Sequence, residues 1–86
     1  LMRRILVVDD EPGIRSALGQ LLEYEGYEVR TAPDAAAGLA EYERFRPNLV
    51  FLDIKMAGMD GLEALRLLRQ QDPHAVVVMI SGHATI

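Results

Sequence analysis

The sequence predicts a small α/β domain in which parallel strands are joined by helices. Short apolar runs alternate with longer amphipathic segments, and the connections between them are short. Of the 86 residues, 50% are hydrophobic, enough to build a packed core. Alternation of this kind indicates parallel strands linked by right-handed crossovers.

Four segments are predicted to be strands. Ile5 to Val8 and Leu49 to Leu52 are continuous apolar runs, which are typical of strands buried on both faces. Tyr27 to Thr31 alternates in character and suits a strand nearer the sheet edge. Ala75 to Ile80 is the fourth strand, and Ser81 begins a loop or another helix.

Two helices are predicted between the first three strands. From Pro12 to Glu25 apolar residues recur at helical spacing, and Gly26 supplies the stop. Asp34 to Phe45 has the same periodicity and is followed by Pro47, which cannot continue a helix.

A third helix is predicted to begin at Asp60. This residue is the expected N-cap, and Glu63 follows three residues later, as a capping box requires. We expect the inner face of the helix to be formed by three leucines, namely Leu62, Leu65 and Leu68.

Composition excludes several classes of protein. The formal net charge is −4 with no run of Lys or Arg, so we expect no direct contact with nucleic acid. The absence of Cys excludes a disulfide framework. The apolar runs are too short for a membrane span, and no segment has the pattern of a signal peptide, so we expect a cytoplasmic protein.

Acidic residues follow two of the predicted strands. Asp9, Asp10 and Glu11 come after the first strand, and Asp53 after the third. In open parallel sheets ligands bind beyond the carboxyl ends of the strands. If these two strands are neighbours, the carboxylates converge, and a hard divalent cation such as Mg²⁺ would relieve their repulsion. A carboxylate beside such a cation can accept a phosphoryl group, and Ser81 could offer it a hydroxyl.

Simpler interpretations exist for each of these residues. The acids after the first strand could favour the N-terminus of the following helix through its dipole. Asp53 alone could be an ordinary turn residue, and Ser81 with Gly82 is a common turn pair. We interpret His83 as a solvated loop residue. The convergence of acids from two strands favours the metal site.

Three motifs resemble the receiver domain of bacterial two-component response regulators. They are Ile5-Leu6-Val7-Val8-Asp9-Asp10-Glu11-Pro12, Asp53-Ile54-Lys55-Met56-Ala57-Gly58-Met59-Asp60-Gly61 and Ser81-Gly82-His83-Ala84. The last is similar to receivers of the nitrogen-regulator type, which precede sigma-54-activating ATPase domains. The resemblance implies a flavodoxin-like, doubly wound parallel sheet of strand order 2-1-3-4.

The resemblance also implies a role for each site residue. Asp53 would be the phosphoacceptor, attacking a phosphohistidine on a sensor histidine kinase. Asp10 would bind Mg²⁺ directly, Asp9 would hold it through water, and the backbone carbonyl of Lys55 would be a third protein ligand. Ser81 would be the switch hydroxyl that moves toward the phosphoryl group after transfer and changes the output surface.

Two departures from the family pattern affect these expectations. Ala57 stands where the family usually has Pro. Receivers also normally continue for about 35 residues beyond the position of Ile86, enough for a strand and two helices. We therefore expect residues 2–86 to be a receiver domain without its usual fifth strand, last two helices and phosphoryl-contacting lysine, which Lys55 does not replace. Metal binding should then survive better than phosphorylation.

The same expectation bears on partners and on alternative functions. An uncovered first helix and fourth strand predict a homodimer, for which exchange of elements between the two copies is one arrangement. A non-phosphorylated receiver-like module for dimerisation or interaction is the main alternative. A dehalogenase-type phosphatase would place Asp-x-Asp after the first strand, whereas this chain has adjacent Asp9 and Asp10. An FMN carrier would need a phosphate loop rich in Ser, Thr and Gly after the first strand, where this chain has Asp9, Asp10, Glu11 and Pro12.

Overall fold

A parallel sheet of four strands forms the centre of the chain, of which the computed structural model describes residues 3–81. The strands are β1 (Arg4–Val8), β2 (Glu28–Ala32), β3 (Leu49–Asp53) and β4 (Val77–Ile80). The helices are α1 (Pro12–Tyr24), α2 (Ala35–Phe45) and α3 (Gly61–Gln71). The sheet order is β2-β1-β3-β4, so the predicted order and the edge position of β2 are confirmed.

The two faces of the sheet are covered by different helices. On one face Leu6, Val8 and other buried side chains join the main core beneath α2 and α3. On the other face Ile5 and Val7 are paired in register with Val29 and Thr31. Helix α1 packs on this face through Gly19. A Cβ placed on Gly19 would lie 4.0 Å from the side chain of Val29 and 3.8 Å from that of Thr31. The arrangement is therefore doubly wound, as the sequence predicts.

Helix α1 ends as predicted at a glycine. Gly26 has a φ of +98°, a backbone conformation that residues with a side chain rarely adopt. Its N–H donates to the carbonyl of Glu23. The N–H of Tyr27 donates to the carbonyl of Leu22, which completes a Schellman motif. The chain is thereby turned from the end of α1 into the edge strand.

The predicted features of α3 are only partly correct. Asp60 is the N-cap, and its carboxylate accepts a hydrogen bond of 2.9 Å from the N–H of Glu63. The Glu63 carboxylate pairs with Arg66 on the next turn instead of returning to the cap. The inner stripe was wrong at Leu62, which is 62% exposed, because Ala64 occupies the inward position between Gly61 and Leu68.

Several large apolar side chains remain exposed within residues 3–81. Leu21 and Tyr24 on α1 are 58% and 87% exposed, and Val76 and Val78 near the edge strand β4 are 57% and 41% exposed. Within this part of the chain, no helix has the length and apolar character needed to cross a bilayer. Much of the exposed apolar surface therefore lies on α1 and near β4, and Leu62 on α3 adds to it.

A hydrogen bond joins α2 to the end of α3. The Tyr42 hydroxyl donates to the carboxylate of Asp72 at 2.7 Å, while the other Asp72 oxygen accepts from the N–H of His74. Burial and the bond to Asp72 raise the pKa of Tyr42 to about 12. The same bond, together with the His74 N–H, lowers the pKa of Asp72. The two helices are thus joined by a bond that favours a neutral phenol and an ionised carboxylate.

Tyr42→Phe should lower the melting temperature at neutral pH by about 5 °C, because the Asp72 carboxylate loses the hydroxyl that donates to it. The pKa of Tyr42 rises from 10.0 to about 12 on folding, so its contribution to stability is lost as pH rises through that range. The pKa of Asp72 falls below 3.8, so its contribution is lost as pH falls through that region.

Thermal unfolding followed by circular dichroism at several pH values checks this expectation. Tyr42→Phe should show a shallower loss of stability than the parent chain above pH 10. Tyr24→Phe is the matched control, since that side chain is 87% exposed. Equal pH profiles for the parent and Tyr42→Phe would contradict the assigned role of the bond.

Candidate metal and phosphoacceptor site

The acidic residues lie at the carboxyl ends of two adjacent strands. β1 and β3 are parallel neighbours, and Val8 at the end of β1 is paired with Leu52. Asp9 follows Val8, and Asp53 follows Leu52 as the last residue of β3. The parallel register therefore carries both acids to the same rim, which is the condition on which the sequence-based prediction depended.

Asp9, Asp10 and Asp53 form one cluster. Each contributes a carboxylate oxygen, and these three atoms all lie within 4.8 Å of one another. Asp9 is 0% exposed and Asp53 is 1% exposed, whereas Asp10 is half-buried. Two acids are thus almost completely removed from water beside a third.

Backbone amides hold one oxygen of each carboxylate. Asp9 Oδ1 accepts from the N–H of Glu11 at 2.9 Å, and Asp53 Oδ1 accepts from the N–H of Lys55 at 3.2 Å. Asp10 Oδ2 accepts from the N–H of Ala57 at 3.3 Å. These bonds fix the orientation of the carboxylates but add no positive charge to the cluster.

The remaining oxygens indicate a cation. Asp9 Oδ2 and Asp10 Oδ1 are buried and have no hydrogen-bond partner among residues 3–81. A buried carboxylate oxygen without a partner is costly, and like charges this close repel one another. A hard divalent cation accepts several oxygen ligands and would satisfy both conditions. The residues present therefore fit a metal ion.

The other predicted site residues lie around this cluster. Glu11 is the N-cap residue of α1 but makes no side-chain cap, so capping by this acid does not explain its position. The side chain of Lys55 is exposed in the loop after β3. Ser81 directly follows Ile80, the residue paired with Asp53, and is exposed. His83 lies outside the described residues.

Gly61 allows α3 to begin against the end of β3. A Cβ at this position would lie 2.1 Å from the carbonyl oxygen of Asp53 and 2.7 Å from the Cα of Ile54. The Gly61 N–H donates to the carbonyl of Ile54 at 2.8 Å, closing the loop between β3 and α3. Only glycine fits this approach, so the spacing from Asp53 to Gly61 also shapes the site.

Two groups at the site gave no clear signal in the sequence. Arg15 Nη1 donates to the backbone carbonyl of Asp9 at 2.7 Å, although Arg15 looks like an ordinary polar residue of a helix. The Ala57 N–H is a backbone donor, and neither its direction nor its partner depends on a recognisable side chain. Both groups influence the site by holding the acidic residues in position.

Comparison with known proteins agrees with this geometry. Residues 5–86 match the family model of the response regulator receiver domain. This chain belongs to that family. The receiver domain is 52% identical over 84 residues to the nitrogen assimilation regulatory protein NtrX of Azorhizobium caulinodans, covering 95% of this chain and 18% of that protein.

Solved structures show the same fold. NtrX from Brucella abortus, in complex with ATP, is 48% identical with a TM-score of 0.91, over 100% of this receiver domain and 20% of that chain. TrrA from Thermotoga maritima, in complex with Mg²⁺-BeF, is 40% identical with a TM-score of 0.90, over 96% of this chain and 72% of that one. The receiver domain thus spans about a fifth of the length of the NtrX proteins.

Gly61→Ala should destabilise the receiver domain by about 3 kcal/mol, because the added methyl group would meet backbone atoms that cannot move independently. Gly13→Ala is the matched control. That glycine is also in the first turn of a helix, and a Cβ there meets nothing within 4 Å. The control should stabilise the fold by about 0.5 kcal/mol.

Urea unfolding of both variants measures the difference. Similar midpoints for Gly61→Ala and the parent chain would show that α3 can move away from β3, contrary to the close contact described above.

Proposed function

We propose that Asp53 accepts a phosphoryl group from the phosphohistidine of a sensor histidine kinase. The supporting observation is the convergence of Asp9, Asp10 and Asp53 at one rim, with two carboxylate oxygens buried and without hydrogen-bond partners among residues 3–81. In the transfer a carboxylate oxygen of Asp53 bonds to phosphorus, and the phosphorus–nitrogen bond to the histidine breaks. Because Asp53 is the last residue of β3, it is held by the sheet during this step.

We propose Mg²⁺ as the metal of this site. Asp10 and Asp53 would bind it directly, Asp9 through water, and Lys55 through its backbone carbonyl. All of these donors are oxygen atoms, which Mg²⁺ prefers, and the related TrrA was crystallised with Mg²⁺-BeF. When bound, the ion would neutralise charge on the transferring phosphoryl group.

Ser81 is the proposed switch hydroxyl. It follows Ile80, whose carbonyl accepts a hydrogen bond of 2.9 Å from the N–H of Ile54, directly after Asp53. β4 therefore ends beside the phosphoacceptor, and a short movement of its end would let the hydroxyl donate to a phosphoryl oxygen. Such a movement would couple the charge on Asp53 to an output surface.

The wider context of the domain is also a proposal. A sensor kinase as phosphoryl donor places the reaction in the cytoplasm. The net charge of −4 and the absence of a basic run argue against direct contact of this domain with DNA. Regulation of transcription would then depend on other parts of the protein, as in the much longer NtrX relatives.

Asp53→Asn should abolish phosphorylation, because the amide cannot form the acyl phosphate. The measurement is the intact mass of the chain after incubation with Mg²⁺ and a small phosphodonor. With Mg²⁺ the parent chain should gain a single phosphoryl group, slowly, since metal binding is expected to survive better than phosphorylation, and with a chelator it should gain none. Glu25→Gln, an exposed acid at the far end of α1, is the control and should be modified like the parent. Modification of Asp53→Asn at the parental rate would refute the assignment.

We also propose that a second copy of the chain is a partner, as an addition or alternative to phosphoryl signalling. The supporting observation is the exposed apolar surface of α1 and β4, including Leu21 and Val78. Within residues 3–81, β4 is an edge strand, and edge strands readily pair with another chain. A pure dimerisation module would associate identically with and without Mg²⁺.

The 86-residue chain should therefore have the mass of a dimer in light scattering at micromolar concentration. Leu21→Glu combined with Val76→Glu should shift it toward the monomer while leaving the circular dichroism spectrum unchanged, because these side chains are 58% and 57% exposed. A monomer at every concentration tested would exclude the homodimer.

A further inference from the structure

The loop between β3 and α3, residues 54–60, bonds to two members of the acidic cluster. The Lys55 N–H donates to the Asp53 carboxylate two residues earlier, which is a local turn contact. The Ala57 N–H donates to Asp10 Oδ2 across a separation of 47 residues. This second bond therefore joins the loop after β3 to the acid after β1.

The bond to Ala57 gives the two oxygens of the Asp10 carboxylate different surroundings. Oδ2 is held by the amide at 3.3 Å, whereas Oδ1 is buried and has no hydrogen-bond partner among residues 3–81. Asp10 is also the least buried of the three acids, and it lies beyond the end of its strand. Without the amide, the Asp10 side chain could rotate toward water more freely than the buried side chains of Asp9 and Asp53.

The amide is itself held in place. Met56, the preceding residue, is only 8% exposed and belongs to the main core. The loop is closed by the bond from the Gly61 N–H to the carbonyl of Ile54. A loop fixed at both of these points presents the Ala57 N–H in a defined position, as a donor to a metal ligand needs.

We propose that the Ala57 N–H is a positioning group for the metal site: it binds Asp10 Oδ2 and directs Oδ1 toward the cation. The proposal rests on the proposed function, in which Asp10 is a direct ligand of Mg²⁺. Every residue except proline supplies this N–H. The residue at position 57 therefore sets metal affinity through the backbone, without a side chain that reaches the ion.

Isothermal titration with Mg²⁺ tests the proposal on the 86-residue chain. Ala57→Pro removes the donor and should weaken Mg²⁺ binding by about tenfold, the lower range for loss of an outer contact to a ligand. Ala57→Ser keeps the N–H and should bind within about twofold of the parent, as a conservative rescue should. The melting temperature of metal-free Ala57→Pro should fall, because proline removes a hydrogen-bonded N–H, and this measurement shows whether the variant is still folded at the temperature of the titration.

The outcomes are distinguishable. Equal affinities for Ala57→Pro and the parent would overturn the positioning role, as would a similar loss in Ala57→Ser. If the parent chain does not bind Mg²⁺, the proposed function fails first. If Ala57→Pro does not fold, amide exchange of the parent decides. A slowly exchanging Ala57 N–H that exchanges faster in Asp10→Ala supports the bond, and fast exchange in both overturns it.

Discussion

The pairing of β1 with β3 brings two acidic side chains to the same rim of the sheet. The contacts around this rim are best understood from the negative charge of these side chains. Asp9 directly follows β1 and Asp53 is the last residue of β3, and both are almost completely buried. Two buried carboxylates beside a third are unfavourable unless something compensates them. The sheet supplies the proximity through ordinary backbone pairing, while a cation can supply the compensation. The fold therefore holds mutually repelling carboxylates at the position where a cation is expected to bind.

The surrounding loop holds the acids in place without neutralising them. Backbone amides of Lys55 and Ala57 reach Asp53 and Asp10, and Arg15 reaches only the carbonyl of Asp9. Arg15 donates to a carbonyl and not to a carboxylate, and Asp9 Oδ2 and Asp10 Oδ1 have no hydrogen-bond partner among residues 3–81. Gly61 completes this arrangement, because any side chain there would meet the backbone of β3 and displace the loop.

The sequence was most informative where a pattern depended on local physics. Continuous apolar runs predicted β1 and β3, and Gly26 predicted the end of α1, since both signals act through burial or backbone conformation. Leu62 was misjudged because a leucine at helical spacing can lie on either side of a narrow inner stripe, and small Ala64 takes the inward position. The amide of Ala57 could not be predicted, since every residue but proline carries one and only the folded loop gives it a direction.

The central claim is that the acidic rim is built to hold a divalent cation, and thermal unfolding as a function of Mg²⁺ tests it most directly. A ligand that binds only the folded state stabilises it by about 2.7 kcal/mol at a hundred times its Kd. At constant ionic strength, the melting temperature of the parent chain should rise steadily with the logarithm of Mg²⁺ concentration, and that of Asp10→Asn should rise much less. A parent melting temperature that does not respond to Mg²⁺ would contradict the claim.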